Sequence, residues 1–130
     1  MDFTFNKEEH LCSQKAFENL LKTGSSIFCF PLKIIWAKTD YPLSYAAQIA
    51  FAVPKRRFKR ANKRNLVKRR LREAYRLNKA PFYQFLEEEK IRLQILVVYI
   101  APEVMNFHEL EPKIKSALDS IAATIKKAAQ

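Results

Sequence analysis

Residues 53–79 have the sequence VPKRRFKRANKRNLVKRRLREAYRLNK, and most predictions for the fold and function of this chain depend on this stretch. It contains 13 basic residues and one acidic residue, Glu73, so its net charge is +12. The whole chain of 130 residues carries +11, and the residues outside the stretch are therefore close to neutral. A solvated helix face normally mixes both signs, because like charges repel. A concentrated cationic patch instead indicates a polyanionic partner, with nucleic acid favoured over an anionic membrane.

Residues 62–78 within this stretch have the period of an amphipathic helix. The apolar side is a narrow stripe of Val67, Leu71, Ala74 and Asn78, and the opposite side gathers Asn65, Lys68, Arg69, Arg72 and Arg76. Such a helix can dock on a core through its stripe and place its cationic side along phosphates. Arginine offers a planar fork to phosphate oxygens, and the amide of Asn65 can both donate and accept hydrogen bonds.

One helix and three extended segments are predicted before the basic stretch. Ser13 is a candidate N-cap, and Gly24 lies where a C-terminal cap belongs. The apolar stripe between them consists of Ala16, Phe17, Leu20 and Leu21. Extended segments are expected at residues 27–30, 32–38 and 45–53. A turn at 39–43 suggests that segments 32–38 and 45–53 pair as an antiparallel hairpin.

A short helix, a buried strand and a last helix are predicted after the basic stretch. Pro81 can open the short helix. Residues 92–100 form an almost continuous apolar run, which is typical of a central strand covered on both faces. Asn106 and Glu109 fit a capping box at the start of the last helix.

The order α-β-β-α-(α)-β-α predicts an α+β fold, a compact α-β sandwich with helices on a small mixed sheet. Residues 1–130 are expected to form one domain, with 1–10 as a candidate flexible arm. No apolar run reaches membrane-spanning length and no cleavable signal is present, so we expect a cytoplasmic protein. Cys12 and Cys29 give neither a disulfide framework nor metal-ligand spacing. Gly24 is the only glycine, which excludes glycine-rich phosphate loops.

The basic stretch also resembles the signature of the bacterial ribonuclease P protein family. That signature places a basic pair, an Ala, an Arg-Asn pair, a second basic pair and an Arg followed by Glu or Gln at fixed intervals after a strand. These positions are held here by Arg56-Arg57, Ala61, Arg64-Asn65, Lys68-Arg69 and Arg72-Glu73. Phe17 and Gly24 match further family positions, and the resemblance extends from residue 11 to the C-terminus. The chain departs from the usual residues at His10, Lys59, Asn62, Leu66 and Ala101-Pro102.

The resemblance implies a left-handed crossover in the sheet, against the general rule, and two RNA partners. The first is the RNA subunit of ribonuclease P, bound by Lys55, Arg56, Arg57, Arg60, Lys63, Arg64, Asn65, Lys68, Arg69 and Arg72. The second is precursor tRNA, whose 5′ leader is expected in a cleft between the first helix and the sheet. Phe17, Lys33 and Ile35 are the candidate cleft residues, but the pattern leaves open whether Lys33 and Ile35 or Leu32, Ile34 and Trp36 face it.

The resemblance also implies that the chemistry belongs to the RNA and to Mg²⁺ bound mainly by that RNA. We therefore expect no catalytic residue, no firmly bound metal and no obligate protein partner in this chain. Two other functions stay open: a structural RNA-binding protein such as a ribosomal protein, and a self-sufficient nuclease. The scattered acids and the isolated His10 and His108 argue against the nuclease. For Phe17, packing in the core is the alternative to a binding role.

Overall fold

The computed structural model describes residues 5, 7–11, 13–40, 43–56 and 58–129. Cys12, Arg57 and residues 1–4 and 6 of the predicted arm lie outside this part of the chain. Its elements are α1 (Gln14–Thr23), β1 (Ser25–Cys29), β2 (Leu32–Lys38), β3 (Ala47–Ala52), α2 (Ala61–Glu88), β4 (Leu93–Tyr99) and α3 (Phe107–Ala129), with a short 3-10 helix, Lys7–Glu9, before α1. Of the described helices, none is long and apolar enough to cross a membrane.

The four strands form one mixed sheet in the order β1-β2-β4-β3. β2 is antiparallel to both β1 and β4, whereas β3 is parallel to β4. The α+β class and the central position of the apolar run at 92–100 are confirmed. The predicted hairpin between segments 32–38 and 45–53 is wrong, because β4 lies between β2 and β3. The hairpin is formed by β1 and β2 instead. Segments 27–30 and 32–38, which the predicted order counts as one strand, are therefore two, and three strands precede α2.

Helix α2 is the crossover between the parallel strands β3 and β4. The left-handed sense of this crossover, which the resemblance implies, stays a prediction. It is continuous from Ala61 to Glu88, so the separate helix predicted at Pro81 is wrong. Pro81 cannot donate a backbone hydrogen bond, but Phe82 and Leu86 continue the buried stripe beyond it. Packing of these side chains therefore keeps the helix intact.

A Schellman motif ends α2. The N–H of Ile91 donates to the Leu86 carbonyl at 2.9 Å, and the N–H of Lys90 donates to the Glu87 carbonyl at 3.1 Å. Lys90 has a φ of 58°, in the left-handed region where glycine is usual. The chain thus places a lysine at a position whose backbone favours glycine.

Each face of the sheet covers a separate apolar cluster. One face packs against α2 and α3 and holds the main core, to which β2 contributes Leu32, Ile34 and Trp36. The other face packs against α1, and we call it the α1 face. It carries a small cluster in which Leu11, Leu20, Ile35 and Leu96 are buried.

Helix α1 is capped at both ends, and its C-terminal end packs closely on the α1 face. The Oγ of Ser13 accepts a hydrogen bond from the Ala16 N–H at 3.2 Å, which confirms the predicted N-cap. Gly24 is the C-cap, but its φ of −71° is ordinary. A Cβ at Gly24 would lie 2.5 Å from the Leu20 carbonyl oxygen and 2.6 Å from Cγ2 of Ile35. Close approach of α1 to β2 therefore requires the glycine. Leu21, assigned to the apolar stripe, is 64% exposed.

The segment before α1 is anchored by a buried ion pair. Glu9 is fully buried, and its carboxylate accepts hydrogen bonds from the Lys79 Nζ at 2.6 Å and from the Tyr83 hydroxyl. Tyr75 donates in turn to the Tyr83 hydroxyl at 2.9 Å. Burial raises the pKa of both tyrosines, so their hydroxyls stay protonated as donors. The pair joins the N-terminal segment to the middle of α2.

Candidate nucleic-acid interface

One side of α2 presents an array of cations and an amide, which we call the basic face. It consists of Asn65, Lys68, Arg69 and Arg72, all exposed except the half-buried Lys68. Within the described part of the chain, no carboxylate forms an ion pair with these three cations. The predicted opposition between this face and the buried Val67 and Leu71 is confirmed. Unpaired cations on a rigid helix are available to an external polyanion.

The basic loop at residues 54–60 leads into α2. Lys55, Arg56 and Arg60 are exposed on it, and Arg57 lies outside the described residues. Phe58 is buried and anchors the loop, with its ring centroid 6.0 Å from that of Tyr99. Lys59 is exposed as well, so the loop turns one aromatic side chain inward and four described cations outward.

Arg64 holds the basic loop in place. Its Nη1 donates to the carbonyl of Phe58 at 2.6 Å and to that of Lys59 at 2.9 Å, and the side chain is half-buried. These hydrogen bonds fix the end of the loop against the first turn of α2. The predicted contact of Arg64 with RNA stays a prediction, and in the structure its Nη1 positions the residues around it.

Three further cations of the basic stretch are engaged within the protein. Nη1 of Arg70 donates to the Met105 carbonyl at 2.7 Å, which ties α2 to the connection between β4 and α3. Arg76 pairs with Glu73, and its hydrogen bond lowers the pKa of that carboxyl. Lys79 belongs to the buried ion pair described above. The cationic surface is therefore shorter than the charged stretch in the sequence. Charge counting alone cannot detect these partners, because most come from distant parts of the chain.

A groove of about 580 Å³ opens between the start of α2 and the connection from β4 to α3. It is lined by Phe58, Lys59, Arg60, Lys63, Leu66, Pro102, Glu103 and Val104. The Tyr99 hydroxyl donates to the Glu103 carbonyl at 2.6 Å and accepts from the Met105 N–H at 3.1 Å, which orders that connection. Lys59 was not among the predicted RNA-binding residues, since it departs from the family pattern. The groove places it beside Arg60 and Lys63.

His10 lies near the other border of the basic face. Its ring packs on that of Phe5, with centroids 4.2 Å apart. Partial burial, and next the positive charge of Arg72, lower the pKa of His10 below its ordinary value, although the Glu9 carboxylate acts in the opposite direction. The imidazole is therefore neutral at pH 7, so His10 adds little positive charge where the family usually has an arginine.

The register of β2 settles which of its side chains lie beside α1. Ile35 is buried in the small cluster under α1, and the exposed Lys33 lies two residues away on the same face. Leu32, Ile34 and Trp36 belong to the main core on the opposite face. Phe17 of α1 is half-buried and packs against the small cluster. The structure thus brings Phe17, Lys33 and Ile35 to one side of the sheet.

No metal-binding cluster occurs among the residues that the structure describes. Nowhere in them do three His, Cys, Asp or Glu side chains converge in a suitable arrangement. Glu87, Glu88 and Glu89 are exposed at the end of α2, away from the basic face. The acidic side chains of this region are those of a solvated helix end.

A family model described as Ribonuclease P matches residues 5–122 of the chain. The chain belongs to the ribonuclease P protein family. The ribonuclease P protein component of Porphyromonas gingivalis is 30% identical to it over 128 residues, covering 98% of this chain and 93% of the relative. That of Chlorobium phaeobacteroides is 34% identical over 105 residues, covering 75% and 72% respectively. The resemblance found in the basic stretch is thus confirmed.

Solved structures from this family have the same fold. The ribonuclease P protein of Staphylococcus aureus superposes with a TM-score of 0.71 at 17% identity, covering 87% of this chain and 94% of the other. The protein from Thermotoga maritima gives a TM-score of 0.68 at 21% identity, with coverage of 85% and 94%. As a member of the ribonuclease P protein family, the chain is an RNA-binding component of a ribonucleoprotein that processes tRNA.

Proposed function

We propose that this chain binds the catalytic RNA of ribonuclease P through its basic face and basic loop, and the 5′ leader of precursor tRNA beside α1. The holoenzyme then removes the leader by endonucleolytic cleavage. The observation that carries the proposal is the presence of two different surfaces on the same fold. The first is cationic and free of carboxylate partners in the described chain, whereas the second combines the aromatic ring of Phe17 with the cation of Lys33.

The basic face suits folded RNA because its charges are held on a rigid helix. Cations that neutralise phosphates release condensed counterions, and this release supplies much of the affinity. Arg69 and Arg72 can bind phosphate oxygens through two parallel hydrogen bonds. Asn65 lies between cations and can donate to or accept from a sugar or a base. Arg64 contributes by fixing the basic loop beside them.

The cleft beside α1 suits an unpaired strand. Exposed bases of single-stranded RNA stack on aromatic rings, and lysine binds phosphate as a mobile point charge. Phe17 offers part of its ring, Lys33 supplies the cation, and the buried Ile35 supports the floor. A paired acceptor stem offers no unstacked bases, so this surface favours the leader.

The chemistry of cleavage is assigned to the RNA partner. Hydrolysis of a phosphodiester requires bound metals or a positioned acid and base. Mg²⁺ held mainly by the RNA supplies this chemistry when bound. The cations of this chain neutralise phosphates that Mg²⁺ would otherwise have to screen, which lowers the Mg²⁺ requirement. The proposal implies a cytoplasmic protein, since a bacterial cell makes and matures its tRNA in that compartment.

The test is cleavage of a 5′-extended tRNA by the protein alone, the ribonuclease P RNA alone, and both together over a series of Mg²⁺ concentrations. We expect no cleavage by the protein, cleavage by the RNA at high Mg²⁺, and cleavage by the complex at low Mg²⁺. Cleavage by rigorously RNA-free protein would overturn the assignment of the chemistry. An unchanged Mg²⁺ requirement in the complex would overturn the assigned role.

A further inference from the structure

A row of four side chains crosses the whole α1 face. Phe28 of β1 lies opposite Lys33 of β2, Lys33 opposite Val98 of β4, and Val98 opposite Ala52 of β3. Directly paired residues point to the same face of a sheet, so these four form one line perpendicular to the strands. Adjacent strands are about 4.8 Å apart, and the line is therefore about 15 Å long.

The two ends of this row differ in character. At the β3 end, the chain continues from Ala52 through Val53 into the basic loop, where Lys55 and Arg56 are exposed. At the β1 end, Phe28 lies on the outermost strand and is 68% exposed, more than the other large apolar side chains of the described chain. The row thus runs from a cationic loop, over small apolar side chains and one lysine, to an open aromatic ring.

The exposure of Phe28 follows from the alternation of β1. Ile27 and Cys29 are half-buried on the opposite face, where Sγ of Cys29 lies 4.0 Å from the Lys113 carbonyl of α3. Helix α1 packs over β2 and β4. Phe28 therefore has no role in either apolar cluster, and its ring faces solvent at the end of the row.

We propose that Phe28 is a stacking platform for an unpaired RNA nucleotide, and that Lys33 binds the phosphate beside that nucleotide. This inference rests on the proposed function and extends the path of the leader from the α1 cleft to the outer edge of the sheet. The occupant is single-stranded RNA because the row alternates an aromatic ring with a cation and joins the basic loop. A hydrophobic protein surface would leave Lys33 without a partner, whereas an RNA strand satisfies both side chains.

The experiment measures dissociation constants of the reconstituted holoenzyme for mature tRNA and for precursor tRNAs with a series of increasing leader lengths. Phe28→Ala should weaken binding on the order of tenfold once the leader is long enough to reach β1, and should leave mature tRNA and the shortest leaders unchanged. Phe28→Tyr should retain the wild-type affinity, since its ring also stacks. Phe28→Leu should behave as Phe28→Ala, because it keeps apolar surface without the aromatic face.

Leu77→Ala is the matched control, since Leu77 is an exposed apolar side chain on α2, at 38% exposure. It should leave affinity for every leader unchanged. If Phe28→Ala matches the wild type at all leader lengths while the wild type still prefers precursor tRNA, the stacking platform is refuted and the proposed function stands. If the wild-type holoenzyme does not distinguish precursor from mature tRNA, the proposed function itself fails. Loss of a protein dimer in Phe28→Ala, with leader binding intact, would assign the ring to a second copy and overturn the proposal.

Discussion

Arg64 and Arg69 lie five residues apart on α2 and carry the same charge, but their side chains have different surroundings. The guanidinium of Arg64 binds two carbonyls of the basic loop, whereas Arg69 is exposed on the basic face. The sequence predicts both as RNA contacts because charge and spacing are all that it shows. The distinction arises from the path of the loop, which depends on the burial of Phe58.

Substitutions on α2 should therefore separate binding from stability. We expect Asn65→Ala and Arg69→Ala to weaken affinity for ribonuclease P RNA with an unchanged melting temperature, since exposed side chains contribute little to folding. Arg64→Ala should lower both the affinity for RNA and the melting temperature, because the charged hydrogen bonds of Arg64 to the loop contribute about 1–3 kcal/mol to stability. RNA titrations and thermal unfolding measure the two effects, and Lys127→Ala on α3 controls for loss of an exposed charge. Unfolding of Arg69→Ala, or its unchanged affinity, would show that the binding face is misplaced.

The lysine that ends α2 gives a prediction about stability alone. Lys90→Gly should raise the free energy of unfolding by about 0.5–1 kcal/mol, because glycine adopts a φ of 58° without steric cost. Lys90→Ala keeps the steric cost and should give no gain. Denaturant midpoints of the two variants and the wild type provide the measurement. Equal midpoints for Lys90→Gly and Lys90→Ala would contradict the argument.

His10 should make stability depend on pH. Its pKa in the folded chain lies below the unfolded value of about 6.5, so the unfolded state takes up a proton first as the pH falls. Stability is thus expected to decrease between about pH 6.5 and the lower folded pKa, and to be retained above that window. His10→Gln should remove this part of the slope. Denaturant unfolding at several pH values tests it, and an unchanged slope in His10→Gln would locate the dependence elsewhere.

At the scale of elements, α1 both completes an apolar cluster and borders the proposed leader cleft. Phe17→Ala should cost about 1–2 kcal/mol of stability, less than the 3–5 kcal/mol of a fully buried phenylalanine, since its ring is only half-buried. It should also weaken binding of precursor tRNA by the holoenzyme more than binding of mature tRNA. Melting temperatures and both affinities are the measurements, with the exposed Glu18→Ala on the same helix as control. Equal losses for the two tRNAs would leave Phe17 a core residue only.

Helices and caps were predictable because their signals are local. The Ser13 cap, the Asn106 cap and the stripe around Val67 and Leu71 each depend on residues within a few turns. The pairing of β2 was not predictable in this way. A turn between two extended segments favours a hairpin, but the apolar run of β4 gains more by insertion between them, where both of its faces are covered.

For the candidate site residues too, local features were predictable from the sequence and contacts between distant residues were not. Helical periodicity predicted that Asn65, Lys68, Arg69 and Arg72 share one side of α2, and the structure has this arrangement, whereas their contacts with RNA stay predictions. Periodicity could not show that Arg70 binds the Met105 carbonyl or that Lys79 binds Glu9, because these partners are distant in sequence. The side of β2 that carries Lys33 likewise required the sheet, as a period of two is equally consistent with either face.

At the scale of the whole molecule, charge segregation sets the response to salt. Affinity for ribonuclease P RNA should fall linearly on a plot of log affinity against log salt concentration, with a slope of several units. Each phosphate contact contributes about 0.7–0.9 to the magnitude of that slope, so Arg69→Ala should reduce the magnitude by about the same amount. Titrations over a series of KCl concentrations provide both values. A flat plot, or a slope that Arg69→Ala leaves unchanged, would show that the basic face does not contact phosphates.

The central position of β4 also constrains the order in which the protein can form during synthesis. The β1–β2 hairpin can close as soon as its residues leave the ribosome, but β3 has no partner strand until β4 emerges more than forty residues later. Amide protons of β1 and β2 should therefore resist exchange in stalled nascent chains that end before β4, whereas those of β3 should exchange freely. Until β4 emerges, the edges of β2 and β3 that it will cover are exposed, and exposed strand edges pair with other chains. Arrest of translation just before residue 93 should consequently yield the most aggregation-prone intermediate of this protein.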